Sequence, residues 1–217
     1  MSGPVPGGLT EQSYVAHGRT FTLQLPADPD ALLDDGEVIA ANERDDRMPY
    51  WAYAWPTSQL LVDVLPALLP ESAREVEEIG CGLGLVAMAA AALRPNAHIT
   101  ATDHDAAAIE LLRENAAANG LANLTAEVRD WSAPSDASLV LASDVMYEDR
   151  FVRPLLARFR DQAEAGATIW LADPGRPPLR RFLSEAGPLV RAIATEGMNR
   201  ARGFEVGKPR ILRLRAR

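Results

Sequence analysis

The sequence predicts an α/β protein: a single doubly wound, mostly parallel seven-stranded sheet with an antiparallel edge strand, preceded by a short N-terminal β-hairpin. Three observations carry this. A glycine loop, Glu78-Ile79-Gly80-Cys81-Gly82-Leu83-Gly84, stands between a short apolar run and an unbroken run of helix formers. Strand-like and helix-like segments then alternate from Val76 to about Ala186. A terminal pair of strand-like segments follows, which puts an antiparallel strand at the sheet edge.

Met1 to Gly8 is rich in glycine and proline and is expected to be disordered at its start. Ser13 to Val15 and Thr20 to Leu25 flank His17-Gly18-Arg19, and the alternation in Phe21-Thr22-Leu23-Gln24-Leu25 reads as a short hairpin with His17 in its turn. Pro26 to Asp46 is acidic and broken, with one helix around Asp30 to Asp35, and reads as a solvated face or a flap over a site. Residues 1–47 are thus an N-terminal extension, and 48–217 the main domain. Within the latter, Met48 to Pro56 concentrates two of the four tryptophans and half of the tyrosines. An amphipathic helix from about Thr57 to Leu65 follows; Pro56 suits its start, and Pro66 should end or kink it.

Val76 to Ile79 is the first sheet strand, and Leu85 to Leu93 the helix after the glycine loop. His98 to Thr102 is the second strand, ended by Asp103, and Asp105 to Asn119 a helix whose apolar side is Ile109, Leu111, Leu112 and Ala116, closed by Asn119-Gly120. Leu124 to Val128 and Ala137 to Ala142 are the third and fourth strands. A helix from about Asp149 to Glu164 leads to strand Thr168 to Ala172, a short helix from Pro177 to about Ala186, and strands near Val190 to Thr195 and Arg210 to Leu214.

With 217 residues, 47% of them hydrophobic, the chain can bury one sizeable core. Its net charge of -8 disfavours a broad phosphate-binding surface, so nucleic acid is an unlikely partner and a protein or small molecule the expected one. No apolar stretch approaches the ~20 residues of a membrane span, and Met1 to Leu9 lacks a signal-peptide layout, so a cytoplasmic location is expected. Cys81 is the only cysteine, which forbids an intrachain disulfide and suits a reducing compartment. Lys208 is the sole lysine among many arginines and alanines, a compositional hint of a bacterial, GC-rich source. No metal-ligand spacing is present; His17, His98 and His104 are scattered.

The glycine loop decides the ligand class. Gly82-Leu83-Gly84-Leu85-Val86-Ala87 satisfies the G-x-G-x-x-G/A dinucleotide pattern, with Asp103 about the expected ~20 residues further on. Spacing alone does not choose. A pyrophosphate wants donors and no nearby anion, whereas Glu78 stands two residues before the first glycine and the loop holds no lysine or arginine. S-adenosylmethionine carries an ammonium and a sulfonium, for which a carboxylate here is an asset. The pattern acid-x-Gly-x-Gly-x-Gly, followed by an acidic residue ending the next strand, resembles motif I of the class I S-adenosylmethionine-dependent methyltransferases. Asp103, at a strand's C-terminal end, faces the ligand crevice, where it can accept the ribose hydroxyl protons. Asp130 and Trp131, after the third strand, are candidates for the adenine amino group and edge. Cys81 reads as a small residue packed under the loop rather than a nucleophile.

Further residues sharpen the resemblance. Pro49-Tyr50-Trp51-Ala52 with Trp55-Pro56, the Glu78 to Gly84 loop, Thr102-Asp103, Asp130-Trp131, Asp144-Val145-Met146-Tyr147 and Asp173-Pro174-Gly175-Arg176 together resemble the seven-β-strand protein-lysine methyltransferases. The similarity is greatest to the branch with the electron-transfer flavoprotein β-subunit lysine methyltransferase and its nicotinamide N-methyltransferase-like bacterial relatives. It runs from about Pro49 to Arg176. It implies a class I methyltransferase fold, S-adenosylmethionine as cofactor and a protein lysine as acceptor. It also implies Trp55, Glu78, Gly80, Gly82, Asp103, Trp131 and Ser143 around the cofactor, and Asp144 and Tyr147 toward the accepting nitrogen. Cys81 and Gly84 in the same loop, His104 beside Asp103, and Asp130 complete the candidate cofactor set. Ser143 departs mildly from the alanine common before that Asp. Asp144 has a bland alternative as the cap of the following helix. A methyltransferase of small amines or RNA, an NAD-dependent oxidoreductase and a non-catalytic binding protein remain as other readings.

Overall fold

The computed structural model describes residues 5–45, 48–187, 190–193 and 210–215. The expected disorder of the first residues, the end of the penultimate strand at Thr195, and Lys208 fall outside them. The sheet has the order β5-β4-β3-β6-β7-β9-β8. β3 (Glu75–Ile79), β4 (His98–Asp103), β5 (Leu124–Val128), β6 (Leu139–Ser143) and β7 (Thr168–Asp173) run parallel, while β9 (Arg210–Leu214) is antiparallel to both β7 and β8 (Val190–Ile193). The chain winds outward from β3 to β5, then returns to place β6 on the other side of β3. That reversal opens a crevice at the strands' C-terminal ends.

The central parallel strands β3, β6 and β7 bury both faces, whereas the edge strand β5 leaves Thr125, Glu127 and Val128 exposed. On one side α2 (Pro56–Leu68), α3 (Leu85–Leu93) and α4 (Ala106–Ala118) pack with Val76, Leu139 and Leu141; on the other, α5 (Val152–Glu164) and α6 (Pro177–Ala186) pack with Ile79, Val140 and Ala142. The alternation explains two adjacent acids in a central strand. Glu77 points to the α5 side, where its Oε2 accepts from Arg158 Nη2 at 2.7 Å. Glu78 points to the α3 side, where its Oε2 accepts the Ala87 N–H at 2.7 Å. Ala87 lies in the first turn of α3, whose N-cap Gly84 has no side chain to cap it. Glu78 therefore caps α3 from the strand beneath through its carboxyl oxygen.

The N-terminal hairpin, β1 (Leu9–Ala16) and β2 (Arg19–Pro26), is a separate two-stranded sheet held to the helices. Phe21, Leu23 and Leu25 alternate inward into the core, as the sequence pattern predicts. The free edge of β2 is paired by side chains of α4. Asn115 bonds both the N–H (2.8 Å) and the C=O (2.9 Å) of Gln24, and Asn119 does the same for Thr22 (3.1 and 2.7 Å). One helical turn separates the two asparagines and two residues separate their targets, so a helix face serves as the missing strand.

Three expectations change. Pro66 does not end α2, which runs to Leu68. Pro66 has no N–H for the Val62 carbonyl one turn back. His17, at positive φ in the hairpin turn, supplies that bond from its ring Nε2 at 2.7 Å. The helix expected near Asp30 to Asp35 is a 3-10 turn at Pro29–Asp34, and the longer α1 (Gly36–Asp45) follows it. Asp35 caps α1 by accepting the Val38 N–H, a signal obscured by the absence of a clear apolar period. β6 starts at Leu139 rather than Ala137, so Ser143 is its last residue.

Candidate functional site

The crevice holds a cavity of about 300 Å³. The glycine loop forms its floor, because three glycines at positive φ turn the chain from β3 to α3 beneath it. Packing makes two of them obligatory. A Cβ on Gly80 would stand 2.7 Å from Val145 Cγ1, and one on Gly84 2.1 Å from Leu112 Cδ1. The main chain of Gly80, Cys81, Gly82 and Gly84 thus comes within reach of a ligand. Cys81 is buried, and burial pushes its thiol up, consistent with packing and not with nucleophilic chemistry.

Glu78 does not line the cavity. Its carboxyl turns beneath the loop, where burial pushes it up to about 8 against the pull of the Ala87 amide, and Asp103 adds to the rise. Its bearing on the ligand is therefore indirect: it consumes a first-turn N–H that a pyrophosphate would need. Asp103 ends β4 and does line the cavity. Its Oδ2 accepts the Gly82 N–H at 2.9 Å and its Oδ1 the Asp105 N–H at 3.0 Å, with His104 Nδ1 3.2 Å from Oδ1. One carboxylate thus aligns the loop and still offers lone pairs to the cavity. Trp131 also lines the cavity, packed edge-on against Phe151 at 5.0 Å. Asp130 does not line it; its carboxylate is exposed and caps its own turn through the Ser132 N–H at 2.8 Å.

Another part of the lining is aromatic and acidic. Ser143, Asp144 and Tyr147 come from the loop after β6, Tyr50 and Trp55 from the segment before α2. Tyr50 meets Tyr147 edge-on at 4.9 Å, Tyr147 meets Phe151 at 4.8 Å, and Trp55 donates its Nε1–H to the Tyr50 carbonyl at 2.8 Å. Burial raises the Tyr147 hydroxyl well above its ordinary value, so it stays a donor. Asp144 leaves β6 in the left-handed region, φ 59, where Asp is tolerated but rarely found. It is 8% exposed. Burial pushes its carboxyl up to about 6, opposed by Arg176, with Asp173 adding to the rise and the Thr57 amide pulling weakly down. Asp144 does not cap the helix that follows it: α5 begins only at Val152, after a 3-10 turn at Asp149–Phe151.

One residue stands here without a role read from the sequence. Arg176, quoted only within Asp173-Pro174-Gly175-Arg176, returns from the loop after β7 to line the cavity. Its Nη1 lies 2.7 Å from Asp144 Oδ1 and 3.8 Å from Asp173 Oδ2, and its guanidinium sits 5.4 Å from the Trp55 ring centroid. Asp173 Oδ1 shapes the turn by accepting the Gly175 and Arg176 N–H groups at 2.7 and 2.9 Å. The signal available in the sequence was Asp-x-x-Arg across a Pro-Gly turn.

Residues 54–139 match the methyltransferase small domain family. Release factor glutamine methyltransferase of Xylella fastidiosa (strain 9a5c) is 39% identical over 75 residues, 35% of this chain and 27% of that protein. Trans-aconitate 2-methyltransferase of Rhodococcus jostii (strain RHA1) is 29% identical over 146 residues, 67% of this chain and 54% of that one. The chain thus spans between about a quarter and about half the length of these curated relatives. Their names give a glutamine and a small acid as acceptors, not the lysine of the branch that Asp144 to Tyr147 resembles. Among solved structures, magnesium protoporphyrin IX methyltransferase from Synechocystis PCC 6803 with bound SAM has a TM-score of 0.54 at 18% identity, covering 87% of this chain and 98% of that one. The ribosomal protein L11 methylase from Lactobacillus delbrueckii subsp. bulgaricus gives 0.53 at 18%, covering 74% and 79%. The mostly parallel sheet, whose antiparallel strand β9 lies between β7 and the edge strand β8 and not at the edge as expected, and the glycine loop under its crevice have the class I methyltransferase fold.

Proposed function

We propose that this chain transfers a methyl group from S-adenosylmethionine to a protein lysine side-chain amine. The cofactor is S-adenosylmethionine: the glycine loop, Asp103 and Trp131 offer a backbone floor, a ribose acceptor and a flat ring, and α3 spends a first-turn amide on Glu78 rather than on a phosphate. The acceptor reading rests on one observation, the buried Asp144 at the end of a cavity walled by Tyr50, Trp55 and Tyr147. A carboxylate among aromatic faces suits an amine that alternates between cation and neutral nucleophile.

The reaction is an in-line displacement. The neutral amine's lone pair attacks the sulfonium methyl carbon, the C–S bond breaks with its electrons to sulfur, and S-adenosylhomocysteine leaves. The product amine carries the positive charge and returns it as a proton to solvent. The protein supplies positioning and a site that tolerates the charge moving from sulfur to nitrogen. In this reading Asp144 orients the amine and Tyr147 walls it.

A second reading has one observation in its favour. Arg176 puts a guanidinium in the same wall, which suits a small carboxylate acceptor of the kind named in the trans-aconitate relative. Incubation with methyl-tritiated S-adenosylmethionine and cell lysate separates the two. Label in protein that hydrolyses to methylated lysine supports the first; label confined to base-labile small-molecule esters overturns it in favour of the second.

A further inference from the structure

We infer that Arg176 is a positioning residue that holds the Asp144 carboxylate in the orientation in which it meets the acceptor. The inference rests on the reading of Asp144 as the acceptor-facing carboxylate. Three segments meet at the guanidinium: the loop after β6 through Asp144, the end of β7 through Asp173, and the entry to α2 through the Trp55 ring. The pair is not a surface bridge. The Arg176 side chain is 19% exposed and that of Asp144 6%, so solvent screening does not dissolve it.

The two carboxylate oxygens are thereby made unequal. Oδ1 accepts from Arg176 Nη1 at 2.7 Å, whereas Oδ2 is turned into the protein and buried. Arg176 is held from the other side as well. Asp173 ties down the Gly175 and Arg176 amides, so the turn that launches the side chain is preset, and Trp55 covers one guanidinium face. This is the logic of an orienter behind a working group: the group that meets the substrate is aimed by one that does not.

Charge leads the same way. The groups facing Asp144 are Arg176 and Asp173 from the end of β7 and the Thr57 amide from α2. Burial and Asp173 favour the protonated acid, and Arg176 is the main opponent. Arg176 favours the ionised carboxylate, an acceptor for an N–H, and its removal shifts the balance toward the protonated acid, a donor.

The test uses Arg176→Gln and Arg176→Lys in the full chain. Titration with S-adenosylhomocysteine should give affinities within about threefold of wild type for both, since the cofactor contacts lie elsewhere. The Asp144 carboxyl ¹³C resonance, assigned by its loss in Asp144→Asn, should titrate at higher pH in Arg176→Gln and near the wild-type pH in Arg176→Lys. Transfer of tritiated methyl to lysate protein should fall roughly tenfold or more at pH 7 in Arg176→Gln, its acid limb moving up with the carboxyl, and should largely recover in Arg176→Lys. An unmoved Asp144 titration overturns the inference. So does a loss of transfer that Arg176→Lys fails to restore while cofactor affinity falls in parallel, which would make Arg176 structural or cofactor-binding. Wild-type protein that binds the cofactor product but labels no protein overturns the lysine reading instead, and the carboxyl titration still decides whether Arg176 governs Asp144.

Discussion

Replacing Gly84 by alanine tests the packing that makes the cavity floor. Gly84 has φ +76, and a Cβ there would stand 2.1 Å from Leu112 Cδ1, 2.6 Å from Cδ2 and 2.8 Å from Cγ. Leu112 is fully buried on α4 and has no solvent to swing into. Two costs add. A left-handed alanine costs about 1–2 kcal/mol relative to glycine. Overpacking a buried contact adds about 1–3 kcal/mol, so the sum is about 2–5 kcal/mol. Gly120 supplies the control, with φ +66 and nothing within 4 Å of its Cβ, so Gly120→Ala should pay the backbone cost alone, about 1–2 kcal/mol. Urea denaturation of both variants reads the difference as a shift in midpoint at constant slope. Gly84→Ala should also weaken binding of S-adenosylhomocysteine, because the loop must move to admit the methyl group, whereas Gly120→Ala should not. Equal destabilisation by the two substitutions would refute the claim that the α3–α4 contact dictates glycine at position 84.

Other expectations follow from single contacts. His17→Ala removes the donor that satisfies the Val62 carbonyl left free by Pro66, and should cost about 1–3 kcal/mol in chemical denaturation; Pro66→Ala, which restores an N–H to that carbonyl, should make the same His17 change nearly neutral. Glu78 has a folded-state value raised by burial from 4.5 to about 8, so its contribution to stability is complete below about pH 4.5 and is lost as pH rises through 8. The stability of Glu78→Gln relative to wild type should therefore improve steadily between pH 5 and 8, and a constant gap across that range would contradict the assignment. Asp103→Ala should weaken cofactor binding by about 1.5–3 kcal/mol through the lost acceptor and the released Gly82 amide; unchanged affinity in a folded variant would remove Asp103 from the site.

The sheet was legible because its strands are short apolar runs between strong punctuation, and the alternation from Val76 onward leaves few topologies. The glycine loop, Asp103 and the loop after β6 lie together at the strands' C-terminal ends, where the order of strands and helices puts them. What escaped was side-chain direction. Glu78 stands beside Glu77 in the sequence, yet period-two geometry sends them to opposite faces of the sheet, so the first caps α3 and the second binds Arg158. Asp130 has the residue type for an adenine contact, but an Asx turn uses its carboxylate locally. Arg176 was hidden because its partner Asp144 is 32 residues away and only the pairing of β6 with β7 brings them together. The link between His17 and Pro66 has the same cause: each is punctuation in its own segment, and only the docked hairpin makes one complete the other. The acceptor is the least legible part, since the cofactor half of the crevice is built from a common loop while acceptor chemistry depends on a few side chains at its rim.

The crevice suits S-adenosylmethionine and not a dinucleotide. Calorimetric titration of the full chain with S-adenosylhomocysteine and, separately, with NAD tests it most directly. The loop holds no lysine or arginine, and the Ala87 amide that a pyrophosphate would want is already bonded to Glu78. One S-adenosylhomocysteine should bind saturably per chain and NAD should give no heat; binding of NAD with none of S-adenosylhomocysteine would contradict this reading of the loop.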